Sequence, residues 1–424
     1  MTDTSINLIS TELWPLVGKY LLIVLPIFIP LVLLYALWVI RFKWITMKFI
    51  ETQKTCLLEI RLPKEITKSP AAMEIFFSHL AAGGAGNLGE AFLDGKTRPW
   101  FSCEIVSTGG QVRFFVWCSQ AKFKNIVEAQ LYAQFPNIEI FEADDYTKDI
   151  FFDPEKYSMF ALQYVLTKPD PYPIKTYIDY GLDEDQKDEY KIDPITSVIE
   201  YLGSLKTGEN AWIQILIQKH EKEELLHGNL GKPKNLKDEI KESIEEIRKS
   251  TLPEGADDKI MKFPNPTKGQ LEIIAALERS ASKPAFDCMV RSVYITEKEA
   301  FVPINIGGLI GGFKQYSSNT LNGFKPATKT DVADWKKDVA RVIPIYKNIL
   351  DKDISDTQKD MLYAYKLRSF FQLPYKNFGG DKPFILTTEE LATVFHFPSG
   401  LVSQTPTLKR VGSKKSEAPS NLPI

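Results

Sequence analysis

With 424 residues the chain is about three times the size of an ordinary domain, so two or three folding units are expected rather than one long core. Its 44% hydrophobic, 25% charged and 12% aromatic residues exclude a wholly disordered, collagen-like or polytopic membrane protein. Lys+Arg 52 against Asp+Glu 54 leaves a formal charge of -2, which excludes a strongly basic coat for nucleic acid and confines any such contact to a local patch.

The first element is apolar. Leu21 to Ile40 carries no charge, and at about 1.5 Å per residue a helix of that length crosses the roughly 30 Å hydrocarbon layer once. A signal peptide is the competing reading, but the run is longer than the usual apolar region and ends in aromatic and basic residues rather than a small-residue cleavage site. Pro26 and Pro30 are expected to kink the helix, which lipid-embedded helices tolerate. Arg41, Lys43, Lys48 and Lys54 follow the run and only Lys19 precedes it, so the positive-inside rule places residues 1–15 outside the cytoplasmic membrane, a transmembrane helix over 16–42, and the C-terminal bulk in the cytoplasm. Trp14, Trp38 and Trp44 bracket the segment as interfacial anchors do. Cys56, Cys103, Cys118 and Cys288 show no CxxC spacing and read as buried free thiols, as a reducing cytosol favours, over disulfides or a zinc site.

From Leu57 the pattern alternates with period two, predicting a strand. Ser69 and Pro70 then open a helix with Met73, Phe76, Phe77 and Leu80 on one stripe. Phe101–Val106 and Val112–Trp117 flank the turn Ser107-Thr108-Gly109-Gly110 and predict a hairpin. A helix with Phe123, Ile126, Val127 and Leu131 stops before Pro136, and Ile138–Phe141 supplies a last strand. The order is βαββαβ, a ferredoxin-like unit over 55–150.

A second pass through that order is read over 155–330: strand Phe160–Leu166, a helix capped by Asp193 with Pro194, strand Ala211–Gln218, a charged helical insertion over 219–284, and strand Phe286–Ile295. Thr267-x-x-Gln270 caps an insertion helix, and Thr296-x-x-Glu299 is expected to cap the closing one before a strand near Asn322–Lys325. Helices are then expected over Thr330–Leu350 and, through Ser355-x-x-Gln358, over Met361–Phe371. A strand at Phe384–Leu386, a helix started by Thr387-x-x-Glu390 and ended by Pro398, and a flexible tail over 401–424 complete the chain. The fold class expected is α+β: one N-terminal transmembrane helix and two ferredoxin-like units, the second with a helical insertion, followed by a helical region over 331–400.

Chemical motifs are sparse. Gly84-Ala85-Gly86-Asn87-Leu88-Gly89 satisfies GxGxxG but follows a helix instead of a strand, and so reads as a loop. The glycines of Gly307–Gly312 lack the lysine of a phosphate-binding loop and read as permitting close helix packing. His79, His220, His227 and His396 make no HExxH or zinc spacing, no GxSxG elbow occurs, and the acidic stretch Gly181–Asp193 lacks the calcium-loop spacing. No catalytic, metal or cofactor residue is assigned, and a non-enzymatic role is expected.

Three stretches near the start, Leu57–Lys64 with Ser69-Pro70, Ser102–Val106 and Glu128–Ile140, together with Leu386-Thr387-Thr388-Glu389-Glu390-Leu391-Ala392-Thr393-Val394-Phe395-His396-Phe397-Pro398 near the end, resemble the membrane-anchored N-terminal region of conjugative type IV secretion-like ATPases of the HerA/FtsK class, in forms common among candidate-phyla bacteria. In such proteins the ELAT-HFP run and a tail like Ala418–Pro423 lead into the motor domain. No Walker motif occurs here, so the resemblance implies a split arrangement: an inner-membrane platform that docks or regulates a separate ATPase and reaches DNA indirectly through it, with a homo-oligomer suggested by analogy to the partner's ring. It implies partner docking through Glu389, Glu390, Leu391, His396, Phe397 and Pro398. The alternative reading is a membrane-tethered nucleic-acid-binding module using aromatic residues of a ferredoxin-like sheet; Val112–Trp117 has the aromatics but lacks the RNP1 motif.

Overall fold

The computed structural model describes residues 3–63, 66, 68–81, 88–184, 192–221, 236–250, 265–330 and 344–398. In chain order the elements are α1 (Asp3–Thr52), β1 (Cys56–Arg61), α2 (Ala71–Leu80), α3 (Leu88–Asp94), β2 (Trp100–Thr108), β3 (Gln111–Cys118), α4 (Lys124–Gln134), β4 (Glu139–Glu142), β5 (Tyr157–Leu166), α5 (Pro194–Gly203), β6 (Glu209–Lys219), α6 (Leu236–Ser250), α7 (Lys268–Ala281), β7 (Ala285–Glu297), α8 (Ile304–Gly311), β8 (Phe324–Lys329), α9 (Pro344–Lys366), β9 (Phe384–Thr387) and α10 (Thr388–Val394). The chain divides into two compact units, residues 1–53 with 85–97, and the remainder.

The first unit is α1 with α3. Among the described residues one helix is long and apolar enough to cross a membrane, Leu25–Thr52 within α1. It runs without interruption through Pro26 and Pro30. Ile27, Phe28, Leu33, Leu34 and Leu37 are exposed along it, a surface that water disfavours by ~1.5–3 kcal/mol per large side chain and that lipid accommodates. Near its end, Gly95 (φ +67°) approaches Ile45 so closely that a Cβ would lie 2.7 Å from the Ile45 backbone.

The second unit is built on one antiparallel sheet in the order β4-β1-β3-β2-β6-β7-β5-β8, with β9 pairing the start of β7. Its centre is the β2–β6 seam, which runs from Trp100 opposite Gln218 to Thr108 opposite Asn210. The two α/β stretches read separately in the sequence are therefore continuous through the β2–β6 pairing, and they share one core. Period-two alternation sends Leu58, Ile60, Phe101, Cys103, Ile105, Phe114, Val116, Ile213, Ile215, Cys288 and Val290 to one face. There α2, α4, α5, α8 and α10 cover them with Phe76, Phe77, Val127, Leu131, Ile199, Leu309 and Leu391. The other face meets α9, where Trp212 packs on Tyr365 at 5.4 Å and Gln163 contacts Met361.

Local sequence explains most boundaries. Gly109 and Gly110 both hold positive φ (+58° and +83°), as a two-residue hairpin turn between β2 and β3 requires. Ser69 Oγ accepts from Ala71 N–H at the start of α2, and Asp193 accepts from Ile195 N–H with Pro194 in the first turn of α5. The Thr267–Gln270 capping box opens α7, which buries Ile274 and Leu277 against Leu236, Ile240 and Ile244 of α6. Gly308 of α8 lies against the Tyr201 ring of α5, where a Cβ would come within 2.3 Å.

Three expectations are corrected. Thr296 caps no helix: β7 extends through Glu297 because β5 continues to pair with it, Ser158 opposite Thr296, and the closing helix begins after Pro303. Ser355 and Gln358 lie inside α9 rather than at a helix start, and Gln358 instead donates to the Met159 carbonyl. That helix stops at Lys366, where the chain turns and Arg368 takes a left-handed φ of +47°, so Phe371 lies beyond it. The helix started at Thr387 ends at Val394, four residues before Pro398. The expectations for Gly84–Asn87, for most of the acidic stretch, for His227, for Thr330–Leu350 up to residue 343 and for the tail lie outside the described residues.

Candidate functional site

Across the seam, a charged or amide side chain stands near the middle of each of three neighbouring strands. Glu104 of β2 stands opposite Gln214 of β6, and Gln214 stands opposite Arg291 of β7. All three are fully buried on the α9 side of the sheet. Gln214 bridges them, donating to Glu104 Oε1 at 2.8 Å and accepting from Arg291 Nε at 2.6 Å. A carboxylate buried here needs a cation, since an isolated ion costs several kcal/mol to desolvate. Arg368 supplies it in a two-point contact, Nε to Oε1 at 2.9 Å and Nη2 to Oε2 at 3.1 Å. Ser102 and Tyr146 hydroxyls donate to the same carboxylate at 2.7 and 2.8 Å, and Tyr146 accepts in turn from Tyr365 at 2.8 Å.

The network fastens the turn after α9 to the seam. Arg291 Nη2 donates to the carbonyls of Ala364 (2.8 Å) and Ser369 (3.2 Å), and Trp100 Nε1 donates to the Arg368 carbonyl at 2.9 Å. Arg368 also pairs with Asp145. Burial would raise the Asp145 carboxyl, but the Arg368 guanidinium offsets this and holds it below the usual range. Burial, reinforced by Glu104, pushes the Tyr146 and Tyr365 phenols well up, so both remain protonated donors. Burial pulls the Arg291 guanidinium down, yet it stays cationic at neutral pH. Buried, and hydrogen-bonded throughout except at Arg291 Nη1, this arrangement cross-links and positions. Its sequence signal is one charged or amide residue within each apolar run (FSCEIV, AWIQILI, CMVRSVY).

The ELAT-HFP segment lies on the opposite face. All six residues expected to dock a partner, Glu389, Glu390, Leu391, His396, Phe397 and Pro398, are buried and occupied within the chain. Glu390 completes the capping box with Thr387 and also accepts from Ile174 N–H at 2.9 Å. Burial raises its carboxyl to about 7 against those hydrogen bonds. Glu389 accepts from Thr176 at 2.7 Å and pairs with Arg279 of α7 at 3.0 Å, tying the insertion to the sheet unit. Leu391 faces the core. Phe397 stacks edge-on against Phe114 (5.5 Å) and Phe135 (5.0 Å). His396 Nε2 lies 2.8 Å from Asp193 Oδ1, the cap of α5.

Elsewhere, His79 contacts the Ile75 carbonyl and His220 pairs with Asp287 at 2.6 Å. No group of three or more metal-type ligands occurs among the described residues. The four cysteines are free and buried, with Cys56 directly opposite Cys118 across β1 and β3.

The molecule is thus an α+β protein with an antiparallel sheet, joined in sequence to an N-terminal apolar helix. The chain belongs to the family described as a domain of unknown function (DUF8128), whose model matches residues 50–409. The match takes in every strand of the sheet and begins where the apolar helix ends. No curated protein matches the chain.

Proposed function

We propose that the protein is a single-pass platform of the cytoplasmic membrane, not itself catalytic, that docks or regulates a separate HerA/FtsK-class ATPase in a type IV secretion or DNA-transfer-like system. The observation that supports this reading is one chain coupling an apolar N-terminal helix to an antiparallel-sheet body, which we read as two ferredoxin-like units. The halves repeat a strand order: β4-β1-β3-β2 in the first and β8-β5-β7-β6 in the second, each the order of a ferredoxin-like unit, joined edge to edge at β2–β6. The basic residues Arg41, Lys43, Lys48 and Lys54 support a cytoplasmic body. In this reading the ELAT-HFP segment works from inside, fixing the C-terminal part of the chain against α2 and α5, and Glu389 to Pro398 are not the partner-facing side chains.

The test is affinity purification of the full-length chain, solubilised in detergent from its own membranes after cross-linking. Recovery of a P-loop ATPase above that seen with an unrelated single-pass bait, insensitive to nuclease, is the expected result. Failure to enrich any ATPase, release of the chain by alkaline carbonate, or cleavage of its bulk by protease added to intact spheroplasts would each overturn the reading.

The alternative, a nucleic-acid-binding sheet, draws on the aromatics of β2 and β3. Phe114, Phe115 and Trp117 are all buried, and α9 with the turn after it occupies the face that Phe115 and Trp117 share with Trp212. Single-strand binding through that sheet would need this face uncovered.

A further inference from the structure

Cys56 opens β1 and Cys118 closes β3, and the register of the two strands sets them directly opposite. Facing residues of an antiparallel pair have Cα atoms roughly 4.5–5.5 Å apart, inside the ~4.4–6.8 Å range that a disulfide spans without backbone movement. Both side chains enter the same core, and the two thiols already hydrogen-bond each other. The remaining cysteines are placed differently. Cys118 has Phe101 as its partner on β2, which makes Cys103 a diagonal neighbour, and such neighbours stand ~7–8 Å apart. Cys288 lies opposite Ile217, with β6 between its strand and β2.

We propose that Cys56 and Cys118 form a redox-modification site, a dithiol that a peroxide closes into a cross-strand disulfide within one chain. Cys56 is the sulfur that reacts first. It is 4% exposed against 0% for Cys118, and its bond with Cys118, with Lys124 adding to the effect, holds it below the ordinary thiol range. Cys118 is pushed up by that same bond and by burial, so it keeps its proton until it is used. The Cys56 thiolate attacks the peroxide, the O–O bond breaks, and Cys56 becomes a sulfenic acid while the departing oxygen leaves as hydroxide. The Cys118 sulfur then displaces the sulfenic hydroxyl, forming the S–S bond. The Cys118 proton leaves with that hydroxyl as one water, and the proton first lost by Cys56 turns the hydroxide into the other. Two thiols are thereby oxidised by two electrons, and one hydrogen peroxide is reduced to two waters. The bond lies where the chain enters the sheet, with residues 53–55 between it and α1, so closure staples the start of β1 to the end of β3.

Full-length protein in detergent, reduced and then freed of reductant, is treated with hydrogen peroxide under native conditions, capped with N-ethylmaleimide in denaturant, and digested with trypsin without reduction. Mass spectrometry should find residues 55–61 linked to residues 114–122 as the dominant cystine, about 2 Da below the sum of the two free peptides. The oxidised chain should run as a single polypeptide on a non-reducing gel, and dithiothreitol should remove the link. In Cys118→Ala, which lacks the second thiol, the same treatment should leave a sulfenic acid on Cys56 that dimedone traps. Should that variant not fold, the wild-type cystine decides the matter. Recovery of all four thiols as maleimide adducts, a mixture of pairings such as an unfolded chain gives, or a dominant link to Cys103, to Cys288 or between two chains would overturn the proposal.

Discussion

Arg368 and Glu104 lie 264 positions apart in sequence and meet in a two-point ion pair from which solvent is excluded. The pair joins the turn after α9 to the central seam of the sheet. Removing one member strands the other: Arg368→Ala should cost about 3–5 kcal/mol, the range for breaking a buried pair. Glu104→Gln introduced into that variant should recover part of the loss by removing the orphaned charge. Chemical denaturation of the single and double variants, read by tryptophan fluorescence, measures both. Additive losses would contradict the pairing.

Glu390 links stability to pH. Its carboxyl is raised from the ordinary 4.5 to about 7, with burial as the chief cause. The folded chain therefore holds this proton more tightly than the unfolded chain does. The contribution is fully present below about pH 4.5 and is lost as pH rises through about 7. Glu390→Gln keeps a capping side chain but cannot titrate. Across that window the wild type should lose Tm relative to the variant, in parallel scans at matched ionic strength.

Neighbouring glycines of α8 should respond oppositely to alanine. Gly308 has the Tyr201 ring where a Cβ would go, and that ring is held by a bond from its hydroxyl to the Asn305 carbonyl at 2.7 Å. Gly308→Ala should cost about 1–3 kcal/mol through overpacking. Gly307 has nothing within 4 Å, so Gly307→Ala should be neutral or stabilise by up to about 1 kcal/mol through helix propensity. Equal effects at the two positions would mean that α5 and α8 do not pack as described.

The thiols should be slow to alkylate in the native protein. Burial raises Cys103 and Cys288, and a hydrogen bond to Cys56 together with burial raises Cys118. The same contact lowers Cys56 in the folded chain, making it the first of the four expected to react there. Maleimide footprinting by mass spectrometry should show little native modification, Cys56 leading, and modification of all four after unfolding.

Local patterns revealed most strands and helices because alternation, glycine turns and caps act within a few residues. The Gly109-Gly110 turn, the Asp193 cap and the Thr267 and Thr387 capping boxes are such cases. Thr296 misled because a capping signature competes with strand pairing, and the partner strand β5 is remote in sequence. The polar row of Glu104, Gln214 and Arg291 is not visible in sequence because each residue looks like an isolated exception until β2, β6 and β7 are aligned. The ELAT-HFP run reads as a helix from its capping box, whereas its expected role in docking a partner comes from the family resemblance alone. Only the tertiary structure supplies Thr176, Ile174, Arg279 and Asp193 as its internal partners.

The β2–β6 seam also governs how the gene can be cut. A fragment ending near residue 150 would bare the whole length of β2, a row of unsatisfied amides and carbonyls with a carboxylate stripped of its guanidinium, while the complementary fragment would bare β6 in the same way. Such pieces would stick to one another or to themselves, so deletion mapping of this protein must keep both halves in one polypeptide.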